Sequence, residues 1–322
     1  MFKLVSFIFL VPFMRSINIK ALVVFILFVL CFKANSQILN DSTVQFVAYW
    51  RLHETQTYRV NQNSYKVKNG DTLNRETINY DAELTIIDSL ASNYTIKWTY
   101  KNFDYKTENK FIEKLMKIAE DMSVIYSTDE YGAFQEVKNF DEIKRYMDRG
   151  FDTLLLEFKS IPNIGPIVNQ VRKTFSTKEA IEAAAINEVH YFHAPFGSKC
   201  ALNMIYEGEK KLPSIYGGEP FDAKVQTDLV QIDTANSSSM IRIVTTVDST
   251  QAKQATIAYL KQICKASNLP EPTIDKVPEI SIQSRFASNV HLPSGWVLDA
   301  YDIKEVISGN EKKVDEVQIT LK

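Results

Sequence analysis

The sequence predicts an α+β fold: a large curved antiparallel sheet covered by a central helical block. Three observations carry that expectation. Residues 94–101 alternate large apolar with polar side chains, as a strand with one buried face does. Residues 141–189 change to spacings of three, four and seven, the period of amphipathic helices. From residue 279 the strand pattern returns, and strand runs flanking a segregated helical segment define the α+β class. The 15 tyrosines and 19 phenylalanines suit strands better than helices.

In chain order, Val44, Phe46, Ala48, Trp50 and Leu52 alternate like a first strand. A second, residues 58–68, ends at Asn69-Gly70-Asp71, a strong turn signal. Residues 82–90 and 94–101 complete a meander across a turn at 91–93. Loops this short require antiparallel pairing. Phe111, Leu115 and Ile118 suggest a short helix, and residues 122–126 and 133–137 a hairpin about Asp129-Glu130-Tyr131-Gly132. From Asp141, the residues Ile143, Tyr146, Met147, Leu154, Leu155 and Phe158 form an apolar helical stripe, broken by Pro162 and Gly165-Pro166. A second helix runs through Val168, Val171 and Phe175. Ser176-Thr177-Lys178-Glu179 is a capping box that starts a third over residues 180–189.

Residues 201–206 read as a strand. Residues 224–233 and 240–248 pair across 234–239. Ser249 or Thr250 caps a helix to Ser267, which Pro270, Pro272 and Pro278 end. Strands 279–290, 295–307 and 314–321 close the chain, with turns at Pro293-Ser294-Gly295 and Ser308-Gly309-Asn310. Residues 37–322 are expected to form a single α+β domain. A division into two lobes near the proline- and glycine-rich segment 213–220 is the alternative.

The N-terminus reads as an export signal. Residues 21–30 are an unbroken apolar run preceded by Arg15 and Lys20. Ala34-Asn35-Ser36 supplies small residues at −3 and −1 of a cut before Gln37. The run falls short of the about 20 apolar residues that span a bilayer. Residues 1–36 are thus read as a signal peptide, with Met14 a natural true start, and the mature chain is expected to have no transmembrane span. Cys31 does not read as a lipidation site, because the large Leu30 precedes it. The expected location is the periplasm, the cell surface or the medium.

Removing residues 1–36 takes Lys3, Arg15, Lys20 and Lys33 but no acid, so the net charge moves from −2 to about −6. Such a chain lacks the basic footprint of a nucleic-acid binder. Two cysteines remain, Cys200 and Cys264, an even pair that an oxidising compartment can bridge. The competing reading packs Cys264 as a small apolar residue at helical spacing from Leu260 and Ile257.

No residue cluster compels a chemistry, and no catalytic residue or cofactor is assigned. His190 and His193, three apart on one helix face beside Glu188, are the candidate metal ligands. His53 and His291, the remaining histidines, lie far away in strand-like segments, so a third ligand is missing and a helix C-terminus that favours histidine explains the pair as well. The sequence holds no G-x-S-x-G elbow, no P-loop and no G-x-G-x-x-G, and Tyr216-Gly217-Gly218 reads as a plain loop. Trp98 and Tyr100 are the candidate ligand-binding residues, as cavity lining or a stacking surface; sheet core is the alternative.

Residues 286–296, ending Pro293-Ser294-Gly295-Trp296, resemble the closing strand, S/T-G-W, strand element of uncharacterised exported bacterial proteins. The hairpin-to-helix stretch 126–139 and Phe192-His193-Ala194-Pro195-Phe196-Gly197 are similar to the same group. That resemblance implies export and brings no activity with it. The strand-rich, helix-covered plan also resembles periplasmic lipoprotein-carrier folds, which implies an apolar small-molecule or lipid ligand held between sheet and helices. The function expected is that of a non-enzymatic binding protein of the envelope. The alternatives are a hydrolase whose residues converge only in space and a structural partner of an envelope assembly.

Overall fold

The computed structural model describes residues 38–322, except 41, 107–109, 162–163, 215–218, 267–269, 271–272, 274 and 276. The signal-peptide reading, Met14, Cys31, Pro162, Tyr216-Gly217-Gly218, Ser267 and Pro272 lie outside the described residues.

Three long strands open the main sheet: β3 (Thr55–Lys68), β4 (Asp71–Leu90) and β5 (Asn93–Lys106). Two-residue turns join them. Asn69 and Gly70, at φ 52° and 93°, make the first, matching the right-handed twist of the flanking strands. β6 (Ser123–Asp129) and β7 (Phe134–Val137) extend the sheet on one side. The C-terminal half supplies β9 (Ile205–Leu212), β10 (Phe221–Asp233), β11 (Ser238–Val247), β12 (Ile280–His291), β13 (Trp296–Ser308) and β14 (Glu311–Leu321). The order is β7-β6-β5-β4-β3-β14-β13-β12-β11-β10-β9, antiparallel throughout. The chain's two ends meet where β14 pairs with β3, from Glu311↔Lys68 to Leu321↔Tyr58. This is the curved antiparallel sheet the sequence predicts. Residues 213–220 connect β9 to β10, which pair directly from Ile205↔Asp228 to Leu212↔Phe221.

The helices are α1 (Lys110–Ala119), α2 (Phe140–Glu157), α3 (Ile164–Lys173), α4 (Lys178–Ala180), α5 (Asn187–His193) and α6 (Ser249–Ala266). α2 buries Ile143, Met147, Phe151 and Leu154; Phe151, absent from the predicted stripe, falls on the same face. Burying a side chain of this size stabilises by about 1.5–3 kcal/mol. These residues join the sheet's inner face in one core, whose largest fully buried side chains are Trp98, Tyr58, Tyr126, Phe46, Phe151 and Phe192. α6 covers the far end of the sheet over Phe221, Ala223, Val247, Ile280 and Ile282, with Ala252 facing them. No helix among the described residues is long and apolar enough to cross a membrane.

Several local expectations shift. Gly165-Pro166 does not break a helix but lies in the first turn of α3, where a missing N–H costs nothing. The α4 cap is Thr177, not Ser176: its Oγ1 accepts from Ala180 N at 3.1 Å. The expected third helix is interrupted by a π-helical segment, Ile181–Ala185, and a break at Ile186. There the Glu182 carboxylate caps Val137 N at 2.7 Å, while its carbonyl meets His190 Nε2 at 2.5 Å. Asp248 caps α6 rather than Ser249 or Thr250, accepting from Gln251 N at 2.9 Å. The strand expected at 201–206 is two strands, β8 (Lys199–Ala201) and β9, separated by a turn with Asn203 at φ 62°.

The largest correction concerns residues 44–52. Only Thr43–Gln45 pairs as a strand (β2), in a small sheet with β1 (Ile38–Asn40) and β8. Val44, Phe46, Ala48 and Trp50 are all buried as the alternation implies, but Leu52 is 49% exposed, and residues 46–50 bond to loops instead of a strand. Phe46 N donates to Ser198 O at 2.9 Å, Ala48 N to Tyr131 O at 2.8 Å and Tyr49 N to Ser294 O at 3.3 Å. The segment threads between two glycines. A Cβ on Gly295 (φ 71°) would lie 2.5 Å from Val47 O, and one on Gly132 (φ 99°) 2.7 Å from the Ala48 Cβ. The Ser294-Gly295-Trp296 element is therefore a socket for this crossing. Trp50 Nε1 donates to Gly295 O at 3.2 Å, Trp296 Nε1 to Glu54 Oε1 at 2.7 Å, and the two indoles stand 5.2 Å apart.

Cys200 and Cys264 are free thiols, not a bridge. Cys200 is buried on β8 of the small sheet, whereas Cys264 lies on α6 above β10 and β12.

Candidate functional site

Sheet register brings one set of side chains onto the concave face beneath the helices. Gln62 pairs with Ile78 on β4 and Val317 on β14; Val317 pairs with Asp302 on β13, and Asp315 with Lys304. Tyr80, Tyr100 and Phe103 continue the surface on β4 and β5. Above it stand Met116 and Ala119 of α1, Met122, Phe175, Ala185 of the π-helical segment, and Asn187, Glu188 and Tyr191 of α5. Between the two layers lies a cavity of about 390 Å³. The break at Ile186 starts a new helix at Asn187, and that helix carries Glu188 and Tyr191 in the cavity wall.

Two buried carboxyl groups face this space. Glu188, 6% exposed, accepts from Tyr100 Oη at 2.6 Å and from the Tyr80 hydroxyl, to which Gln62 Nε2 donates at 3.5 Å. Burial raises its pKa, and the tyrosine hydrogen bonds only partly offset that. Asp302 accepts from Ser284 Oγ at 2.5 Å and from the Tyr191 hydroxyl. Burial raises it too, against the pull of those bonds and of Lys304 and Lys210. Lys210 belongs to β9, and it acts on Asp302 across three intervening strands because the sheet curls. Asp315 is held by Ser64 Oγ at 2.7 Å.

Tyr80, Tyr100 and Phe103 form an aromatic cluster in the same wall. Tyr80 and Phe103 centroids are 4.9 Å apart, Tyr80 and Tyr100 5.5 Å, and Tyr100 stacks on Phe103 at 6.3 Å. The cavity thus offers Asp302 and the rings of Tyr80, Tyr100 and Phe103 from the sheet, and Glu188 and Tyr191 beside Met, Ala and Phe side chains from the layer above.

Of the residues singled out in the sequence, Tyr100 lines the cavity and Trp98 does not. Trp98 is fully buried in the core, with Nε1 unpaired and its ring 6.0 Å from Phe192. His193 is not a free ligand: Nε2 meets Tyr126 Oη at 2.8 Å and Nδ1 meets Gly132 O at 2.6 Å, both inside the core. Burial pushes its pKa down to about 3. His190 packs on Phe134 at 4.7 Å and bonds the Glu182 carbonyl. Among the described residues no three His, Cys, Asp or Glu side chains gather as a metal site.

Sequence reading missed Asp302, Tyr80 and Tyr191. One signal was available: Ala300 and Asp302 share the inward phase of β13, so an acid falls where the pattern demands an apolar residue.

No protein-family model matches the sequence, and no curated protein does. Among solved structures, lipovitellin, from a study of lipid–protein interactions, is similar at 12% identity and a TM-score of 0.38 over 84% of this chain. This chain spans about a quarter (25%) of that one. A protein described as exported, with a YmcC-like fold, from Bacteroides fragilis NCTC 9343, is similar at 8% identity and a TM-score of 0.23, covering 86% of this chain and 99% of that one. Neither likeness bears on what the cavity holds.

Proposed function

We propose that this chain is an exported, non-enzymatic binding protein that holds a small amphipathic molecule between its helical block and its sheet. One observation carries the reading: the cavity under α1 and α5, lined by aromatic rings and buried carboxyl groups together with flexible apolar side chains. Its volume falls within the roughly 300–1,000 Å³ of small-molecule pockets. The N-terminal export pattern supports a location outside the cytoplasm.

A hydrolase reading would use the same carboxyls, since burial raises both Glu188 and Asp302 toward the range of general acids. Each is already engaged by tyrosine or serine hydroxyls, and no Ser, Thr, Cys or His is among the described residues lining the cavity. The arrangement favours holding over turnover.

The test is thermal unfolding of delipidated protein across a panel of fatty acids, alkylamines, fatty alcohols and lysophospholipids. A ligand at a hundredfold excess over its dissociation constant adds about 2.7 kcal/mol, a rise of several degrees in Tm. An unmoved Tm across the panel would overturn the proposal. Release of product from an ester or glycoside substrate would transfer the site to the hydrolase class.

A further inference from the structure

The wall of this cavity has more specific chemistry than an apolar pocket requires. Glu188 is a buried carboxyl with no lysine or arginine paired to it among the described residues. The partners of Glu188 are the hydroxyls of Tyr80 and Tyr100 and its own backbone N–H. A carboxylate offers about four acceptor sites, so these three bonds leave room for one more donor. Buried acids are ordinarily paired with a cation, and among the described residues no lysine or arginine is paired with Glu188, which has only the more remote charge of His190 acting on it. Beside it stand the rings of Tyr80, Tyr100 and Phe103, with centroids 4.9–6.3 Å apart. Aromatic faces carry negative quadrupole charge and attract organic cations within about 6 Å.

We propose that the polar end of the ligand is an organic ammonium group, seated between Glu188 and the rings of Tyr80, Tyr100 and Phe103. The inference rests on the cavity being a binding site. The ammonium supplies the counter-charge that Glu188 lacks and presents methyl or methylene surface to the rings. An anionic head group fits poorly, because Glu188, Asp302 and Asp315 all line the space, while Lys304 is the one cation among the described lining residues and Lys210 and Lys313 act on Asp302 and Asp315 from outside it. The apolar part of the ligand runs toward Met116 and Phe175.

Isothermal titration of the purified protein with ligands of one chain length separates head group from tail. Decyltrimethylammonium, 1,2-decanediol and decanoate are compared below their micelle-forming concentrations. The ammonium should bind at least tenfold more tightly than the diol, with decanoate weakest. Glu188→Gln should bring the ammonium to the level of the diol and leave the diol within about twofold. Equal affinity for ammonium and diol would overturn the head-group inference while leaving the cavity reading intact; no binding of any of the three would overturn both. If Glu188→Gln does not fold, the wild-type ranking alone decides. Choline and lysophosphatidylcholine, run alongside, tell the source. Choline matching decyltrimethylammonium supports a free ammonium compound, and a large advantage for the chain-bearing molecules supports a lipid-borne one.

Discussion

Replacing Gly295 by alanine is expected to destabilise the protein by about 2–4 kcal/mol. About 1 kcal/mol comes from holding alanine in the left-handed region, at φ 71°. The rest comes from the new Cβ, which would lie 2.5 Å from Val47 O and 2.8 Å from the Ala48 Cα. Those are backbone atoms of the threading segment and cannot swing aside like a side chain, so the crowding costs as overpacking does, about 1–3 kcal/mol. Moving the segment would also loosen the bond from Trp50 Nε1 to Gly295 O and the 5.2 Å pairing of Trp50 with Trp296. Gly70→Ala is the control. Its φ is also positive, at 93°, but no atom outside its own chain neighbours lies within 4 Å of its added Cβ, so only the conformational part of the cost remains. Urea unfolding of both variants measures the difference. A Gly295→Ala protein no weaker than Gly70→Ala would show that residues 46–50 do not sit in the Ser294-Gly295-Trp296 socket.

His193 should make the fold sensitive to acid. Its folded pKa, near 3, lies below the ordinary value of 6.5, because burial disfavours the imidazolium. The unfolded chain therefore binds a proton that the folded chain refuses between those two values. The contribution is fully present above about pH 6.5 and is lost as pH falls toward 3, at up to about 1.4 kcal/mol per pH unit. Between pH 7 and pH 5 the wild type should lose about 2 kcal/mol from this group. Glu188 and Asp302, raised by burial, act in the opposite sense and gain relative stability as pH falls. Comparison with His193→Ala isolates the histidine. The variant should be weaker at pH 7 by about 3–5 kcal/mol, since it leaves the Tyr126 hydroxyl and the Gly132 carbonyl unpaired and empties a space among Trp50, Phe192 and Phe196. Its stability should also fall less between pH 7 and pH 5. Parallel pH profiles would mean that His193 already carries its proton in the fold.

The regular elements were legible because each writes its period into the chain. Residues 94–101 alternate and form the core of β5; residues 143–154 repeat at helical spacing and form the inward stripe of α2. Residues 44–50 show the limit of that signal. A period of two records which side chains are buried, not whether the backbone partner is a strand or a set of loops, and here the partners are Ser198, Tyr131 and Ser294. The cavity was less legible still. Glu188 was visible beside His190, but its partner Tyr100 is 88 residues away and Asp302 further, so only sheet register and the break at Ile186 bring them to one wall. Trp98 and Tyr100, two residues apart on one strand, look alike in sequence. Position along β5 separates them: both are buried in one core, but only Tyr100 also lines the cavity.

The claim that the cavity beneath α1 and α5 is the binding site can be tested by location. Delipidated protein is irradiated with an alkyl amine bearing a chain-end diazirine, and the labelled peptides are mapped by mass spectrometry. Labels are expected on the lining segments, at Phe103, Met116, Met122, Phe175 and Tyr191, and should disappear when unlabelled decyltrimethylammonium is in excess. An exposed competitor lies at the end of the sheet, where Met204 is 54% exposed and Ile205, the first residue of the edge strand β9, is 65% exposed. Competable labelling there, with the cavity peptides unmodified, would contradict the account and make that end of the sheet the docking surface instead.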